Sequence, residues 1–227
     1  MSPTLKFLFS LSILFPAVAA VMRWNNADRN YRPFLYLIFI SVANELLVGL
    51  YLNKTSKEIL TINWQLFNLI EWVLLLVQFY YWGSLQRHKY LFFGILLISI
   101  AGWVFENFIY SNIYAPNLVF LISYSFALVL LSINTINSTV GEMNQSIGKS
   151  GLFLICIGIV IFFTYSIIVF LFPALGVKSE TVLMRKIFDI RVYVNALTNL
   201  IYAVGIYYIP VTGVHDAFFK KQQKNIL

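Results

Sequence analysis

The chain predicts an all-α, polytopic membrane protein: a bundle of seven transmembrane helices with its N-terminus outside and its C-terminus inside. Three observations predict it. Of 227 residues, 60% are hydrophobic and 11% charged, where soluble domains carry about 45–50% apolar and about 25% charged residues. The mean hydropathy is +0.80. Seven apolar stretches, at about residues 5–22, 34–52, 61–82, 90–110, 117–134, 151–172 and 186–209, alternate with polar clusters. Each is near the ~20 residues a helix needs to cross ~30 Å of hydrocarbon.

The first stretch follows Lys6 and contains Ala17-Val18-Ala19, an imitation of a secretory signal peptide. Arg23, Arg29 and Arg32 follow the run and only Lys6 precedes it, which is the wrong polarity for cleavage, so an uncleaved first helix is expected. Pro33, Pro116, Pro173 and Pro210 punctuate later helix ends, where a missing N–H does least harm. Residues 1–210 form the transmembrane domain, and 211–227 form a basic cytoplasmic tail with Lys220, Lys221 and Lys224.

With seven helices, Arg23, Arg29, Arg32, Arg87, Lys89 and Lys149 share a side with the three tail lysines. Lys6, Lys54, Lys57, Lys178, Arg185 and Lys186 lie on the other. The excess of nine over six puts the C-terminus inside. The net charge of +7 is therefore loop and tail charge that reports orientation, with no nucleic-acid partner implied. The expected partner is the lipid bilayer, with a second copy or another membrane protein as a further partner.

Glu45, Glu71, Glu106 and Arg191 stand inside apolar stretches. A charged side chain at the bilayer centre costs roughly 2.5–3.5 kcal/mol, so these residues are expected to face a protein interior or a wet cavity. In the third helix Trp64, Asn68, Glu71, Leu75 and Gln78 fall within about 80° on one face. In the seventh, Arg191, Asn195, Asn199 and Tyr202 draw one line. The second offers Ser41, Glu45 and Gly49 with Asn44 adjacent, and the fourth Ser99, Trp103, Glu106 and Tyr110 with Asn107 adjacent. The orientation puts the acids in the outer half, with Glu71 near mid-membrane and Glu106 and Asp189 within reach of interfacial water. Four acids then face one arginine, in an acidic pocket that Trp64, Trp72 and Trp103 are near enough to line. The competing structural reading makes Asn and Gln simple links between helices, worth about 0.6 kcal/mol each, and Glu71–Arg191 a clasp.

Several chemistries are excluded. The single cysteine, Cys156, lies in an apolar run and allows neither a disulfide framework nor a thiolate metal site. The two histidines, His88 and His215, stand in polar segments, so no metal or cofactor is expected inside the membrane. No G-x-S-x-G elbow, H-E-x-x-H, P-loop or D-D-x-x-D motif occurs, and the acids stand without a nucleophile and its activating base.

The layout, with Asn44-Glu45, Asn68-x-x-Glu71-Trp72 and Glu106-Asn107 in successive helices, resembles small multipass proteins of Bacteroidota-like bacteria over most of the chain. The resemblance implies a location in the bacterial inner (plasma) membrane and carries no activity. The first functional reading is a bundle that binds or translocates a small polar or cationic solute, with proton coupling, at Glu45, Glu71, Arg191, Asn68, Asn195, Asn199, Asn44 and Glu106. The alternatives are a sensor or accessory subunit of a membrane complex, and a lipid-modifying enzyme that uses the carboxylates.

Overall fold

The computed structural model describes residues 9–86, 89–140, 147–177 and 181–211. Lys6, Arg87, His88, Lys178, His215 and the basic tail beyond Val211 lie outside the described residues. Among those described, seven helices follow one another without a strand. They are α1 (Leu11–Arg23), α2 (Arg32–Leu50), α3 (Lys57–Tyr81), α4 (Lys89–Phe105, continued by a π-helical turn, Glu106–Tyr110), α5 (Leu118–Val140), α6 (Gly151–Ala174) and α7 (Val182–Tyr207). Helices α2 to α7 are long and apolar enough to cross a membrane; α1 is a shorter apolar helix.

Local chemistry explains where the helix ends differ from the hydropathy boundaries. Ser56 and Thr181 accept hydrogen bonds from the amides of Ile59 and Met184, so α3 and α7 begin four residues earlier than their apolar stretches suggest. An N-cap oxygen satisfies one of the four amides that a helix start leaves without a partner. Helix α5 runs past the expected end at 134, because the hydroxyls of Thr135 and Thr139 bond carbonyls one turn back and Ser84 bonds Thr135 across to the α3 side at 2.6 Å. The polar string after residue 134 is thus helical as far as Val140 rather than loop. Helix α6 ends in a Schellman turn. Gly176 has φ +82°, Val177 N–H bonds the Phe172 carbonyl, and Gly176 N–H bonds that of Pro173.

The packing order is α1–α2–α3–α5–α6–α7 and back to α1, a ring of six helices, while α4 lies outside against α3 and α5. One end of the ring is closed. The Arg23 guanidinium bonds the Ile209 carbonyl, Asp28 N–H bonds the Pro210 carbonyl at 3.0 Å, and Ala27 bridges Val211. At the same end Gln78 accepts from the Phe34 amide at 2.8 Å and donates to the Asn30 carbonyl at 2.6 Å. Buried Leu35, Ile38, Leu76, Phe79, Ile155, Ile159 and Ile206 fill the space between.

Helices α6 and α7 approach closely at that end. A methyl group on Gly151 would stand 2.7 Å from the Gly205 carbonyl oxygen and 2.9 Å from the Ile209 amide nitrogen, and one on Gly158 would meet the Tyr202 ring. Small residues at such seams let backbones touch where lipid supplies no hydrophobic drive to associate.

Because the atoms meeting Gly151 are backbone, they cannot turn aside. Gly151→Ala should destabilise the detergent-solubilised protein by about 1–3 kcal/mol, the usual cost of overpacking. Gly94→Ala and Gly102→Ala on α4, where a methyl group meets nothing within 4 Å, should be neutral or slightly stabilising. Thermal unfolding of the three variants side by side measures both.

Candidate functional site

Away from the closed end, the ring encloses a cavity of about 880 Å³. Its lining comes from α2, α3, α5, α6 and α7, with Ile13 from α1, and α4 contributes nothing. Ser10 before α1, Asn44 and Glu45 near the C-terminus of α2, and Trp64, Arg185 and Asp189 near the N-termini of α3 and α7 all stand toward the same end of the ring. Arg185 is exposed there, and the cavity therefore opens at the end opposite the Arg23–Ile209 closure. Phe34, Leu75 and Tyr202 form its floor.

Each charged wall residue has a distinct setting. Glu45 on α2 is half-buried and accepts a hydrogen bond from the Ser10 hydroxyl. Glu71 on α3 accepts from the Tyr124 hydroxyl at 3.1 Å. The Arg191 guanidinium lies 4.8 Å from the Phe170 ring centroid and 6.0 Å from that of Phe162, within the range of a cation–π interaction. Glu71 and Arg191 both line the cavity, yet no ion pair joins them among the described residues. In the ring order α3 and α7 are not neighbours, and the two residues come from facing helices.

Asn68, Ser166 and Thr198 add buried polar side chains to the lining, 5%, 2% and 1% exposed.

The structure brings together Glu45, Glu71, Arg191, Asn68, Asn195, Asn199 and Asn44 in this lining. Two of them also link helices: Asn199 donates to the Ser12 hydroxyl at 2.8 Å, and Asn44 accepts from the Asn63 amide at 2.9 Å. Glu106 is elsewhere. It is buried, not turned to interfacial water, and its carboxylate accepts from the amides of Val119 at 3.0 Å and Phe120 at 2.7 Å. A carboxylate on the first amides of α5 neutralises groups that the helix itself cannot satisfy. Glu106 lines a separate apolar groove of about 500 Å³ between α4 and α5, which shares only Tyr124 with the cavity. Trp64 lines the cavity, Trp72 lines the groove, and Trp103 lines neither.

Arg185 joins the lining instead, so the expected four acids against one arginine become three (Glu45, Glu71, Asp189) against two (Arg185, Arg191). The hydropathy reading missed Arg185 by starting the last stretch at residue 186; Thr181 as an N-cap signal would have found it. Ser166, Thr198 and Tyr124 sit in stretches whose hydropathy gives no sign of an inward face.

Removing the Glu106 carboxylate should therefore affect folding and not the cavity. Glu106→Ala should cost about 0.5–2 kcal/mol, as loss of a helix cap does, and chemical denaturation of the variant beside the wild type measures it.

No protein-family model, curated protein or solved structure matches the chain.

Proposed function

We propose that this is a bacterial inner-membrane protein that binds a small polar or cationic solute in the cavity of the helix ring and moves it between the cavity and the outside. The observation that carries the reading is the separation of Glu71 from Arg191. A structural clasp would put the two in contact, whereas here each lines the same cavity of about 880 Å³, no direct ion pair joins them among the described residues, and Glu71 takes its hydrogen bond from Tyr124. Solute pockets are typically ~300–1,000 Å³, largely apolar and aromatic with a few convergent polar groups. The Phe, Trp and Tyr walls around Glu45, Glu71 and Arg191 fit that description.

In this reading the carboxylates of Glu45 and Glu71 receive the cationic part of the solute, and protonation of Glu71 releases it. Intramembrane acids in this position commonly serve proton and cation paths. The positive-inside distribution supports a cavity that opens to the outside, since the mouth lies at the end opposite Arg23, Arg29 and Arg32. The closed end, held by Gln78 and by the Arg23–Ile209 contact, then forms the barrier on the inner side.

Two outcomes are expected. Proteoliposomes with wild-type protein should take up an organic cation from a panel of small amines, and Glu71→Gln should abolish the uptake while leaving the melting temperature nearly unchanged; equal uptake by both would remove Glu71 from the mechanism. In intact cells, Asn195→Cys should react with a membrane-impermeant thiol reagent added outside. The wild type supplies an unlabelled control, because Cys156 is fully buried. Reaction only from the inner side would reverse the orientation.

A further inference from the structure

We infer that the solute is a zwitterion, a molecule carrying an ammonium group and an oxyanion on one skeleton, held with its ammonium at the Glu71 wall and its oxyanion at Arg191. The inference rests on the solute-binding reading above and narrows the ligand.

The argument starts from ring order. With six helices in the sequence α1, α2, α3, α5, α6, α7, helix α3 stands directly across from α7. Glu71 and Arg191 therefore come from facing helices and line one cavity without a direct ion pair among the described residues. The bilayer interior disfavours an ionised side chain at either position, and the two attract each other through space without a direct hydrogen bond between them. Glu71 has one tyrosine hydroxyl, and Arg191 has two aromatic faces. A simple cation at Glu71 leaves Arg191 without an anion. A simple anion at Arg191 leaves Glu71 without a cation. One molecule bearing both groups satisfies both walls and brings no net charge into the membrane.

The remaining lining agrees. Asn68, Ser166 and Thr198 add polar side chains to the same lining, on α3, α6 and α7. Phe162, Phe163 and Phe170 give it an apolar wall on α6. The ligand thus combines two opposite charges with an aromatic or alkyl body. Free aromatic amino acids have this chemistry, and so do lysophospholipids with an ethanolamine headgroup.

The experiment compares whole zwitterions with their singly charged halves on the purified wild-type protein in detergent. The soluble arm uses phenylalanine, phenethylamine and 3-phenylpropanoate; the lipid arm uses lysophosphatidylethanolamine, dodecylamine and lysophosphatidate. In at least one arm the zwitterion should bind tenfold or more tightly than either half, since a hydrogen-bonded charge contact is worth about 1.5–3 kcal/mol. Which arm responds identifies the source. Glu71→Gln should erase the advantage over the anionic half, and Arg191→Gln the advantage over the amine. The comparison on wild-type protein decides the matter even if Arg191→Gln does not fold. An amine that binds as tightly as its zwitterion, and depends on Glu71, would overturn the zwitterion and leave the cationic-solute reading standing. No binding by any of the six compounds would overturn both.

Discussion

The structure depends on closing a ring of helices at one end only. In a bilayer no water reaches backbone amides and carbonyls, so every exposed one must find a protein partner. The chain meets this demand where α1 and α7 end, over a sequence separation of 186 residues, through Arg23 and the Ile209 carbonyl. Asp28 and Pro210 add a backbone bond beside it, and Gln78 holds the start of α2 against α3. The glycine contact between α6 and α7 falls at the same level, where Gly151 and Gly205 leave no room even for a methyl group. That end is fixed by backbone and side-chain bonds, and the cavity with its polar lining lies toward the opposite one.

Two classes of intramembrane polar residue follow, and they differ in what they touch. Gln78 and Glu106 spend their oxygens on backbone amides of helix starts. Replacing either leaves amides without an acceptor in a medium that supplies none, so their role is complete within the fold. Glu71, Arg191 and Asn68 line the cavity instead. A fold gains nothing from such residues by themselves.

Much of this was legible in the sequence, and the failures have identifiable causes. Seven helices and their order follow from hydropathy, and of the five residues that helical spacing puts on one face of α3, Trp64, Asn68, Glu71 and Leu75 line the cavity while Gln78 bonds the start of α2 at the closed end. Helix ends were less legible, because hydropathy registers the bilayer while capping by Ser56 and Thr181 and hydroxyl bonds along α5 decide where the hydrogen-bond ladder starts and stops. Glu106 was expected nearer interfacial water than Glu71 but in the same pocket, since both are acids in apolar helices. What separates them is the ring topology, in which α4 is the outside helix, and no periodicity within α4 reports that. Arg185 was hidden for the same reason that α7 seemed to start late.

The altered charge balance changes the meaning of the site. An all-acidic pocket facing a single arginine would draw metal ions or simple amines, and would accumulate repulsion between its own carboxylates whenever it was empty. With Arg185 included and Glu106 removed, three acids share the lining with two arginines. Arg191 is held over Phe170 and Phe162 instead of against a carboxylate. Aromatic faces stabilise a guanidinium by about 0.5–2 kcal/mol, less than direct pairing in a low dielectric provides. They therefore keep Arg191 in place without consuming its hydrogen-bonding edge. Among the described residues no hydrogen bond or direct ion pair commits the Arg191 N–H donors to Glu71, whose own hydrogen bond comes from Tyr124, whereas a direct clasp would spend both groups on each other.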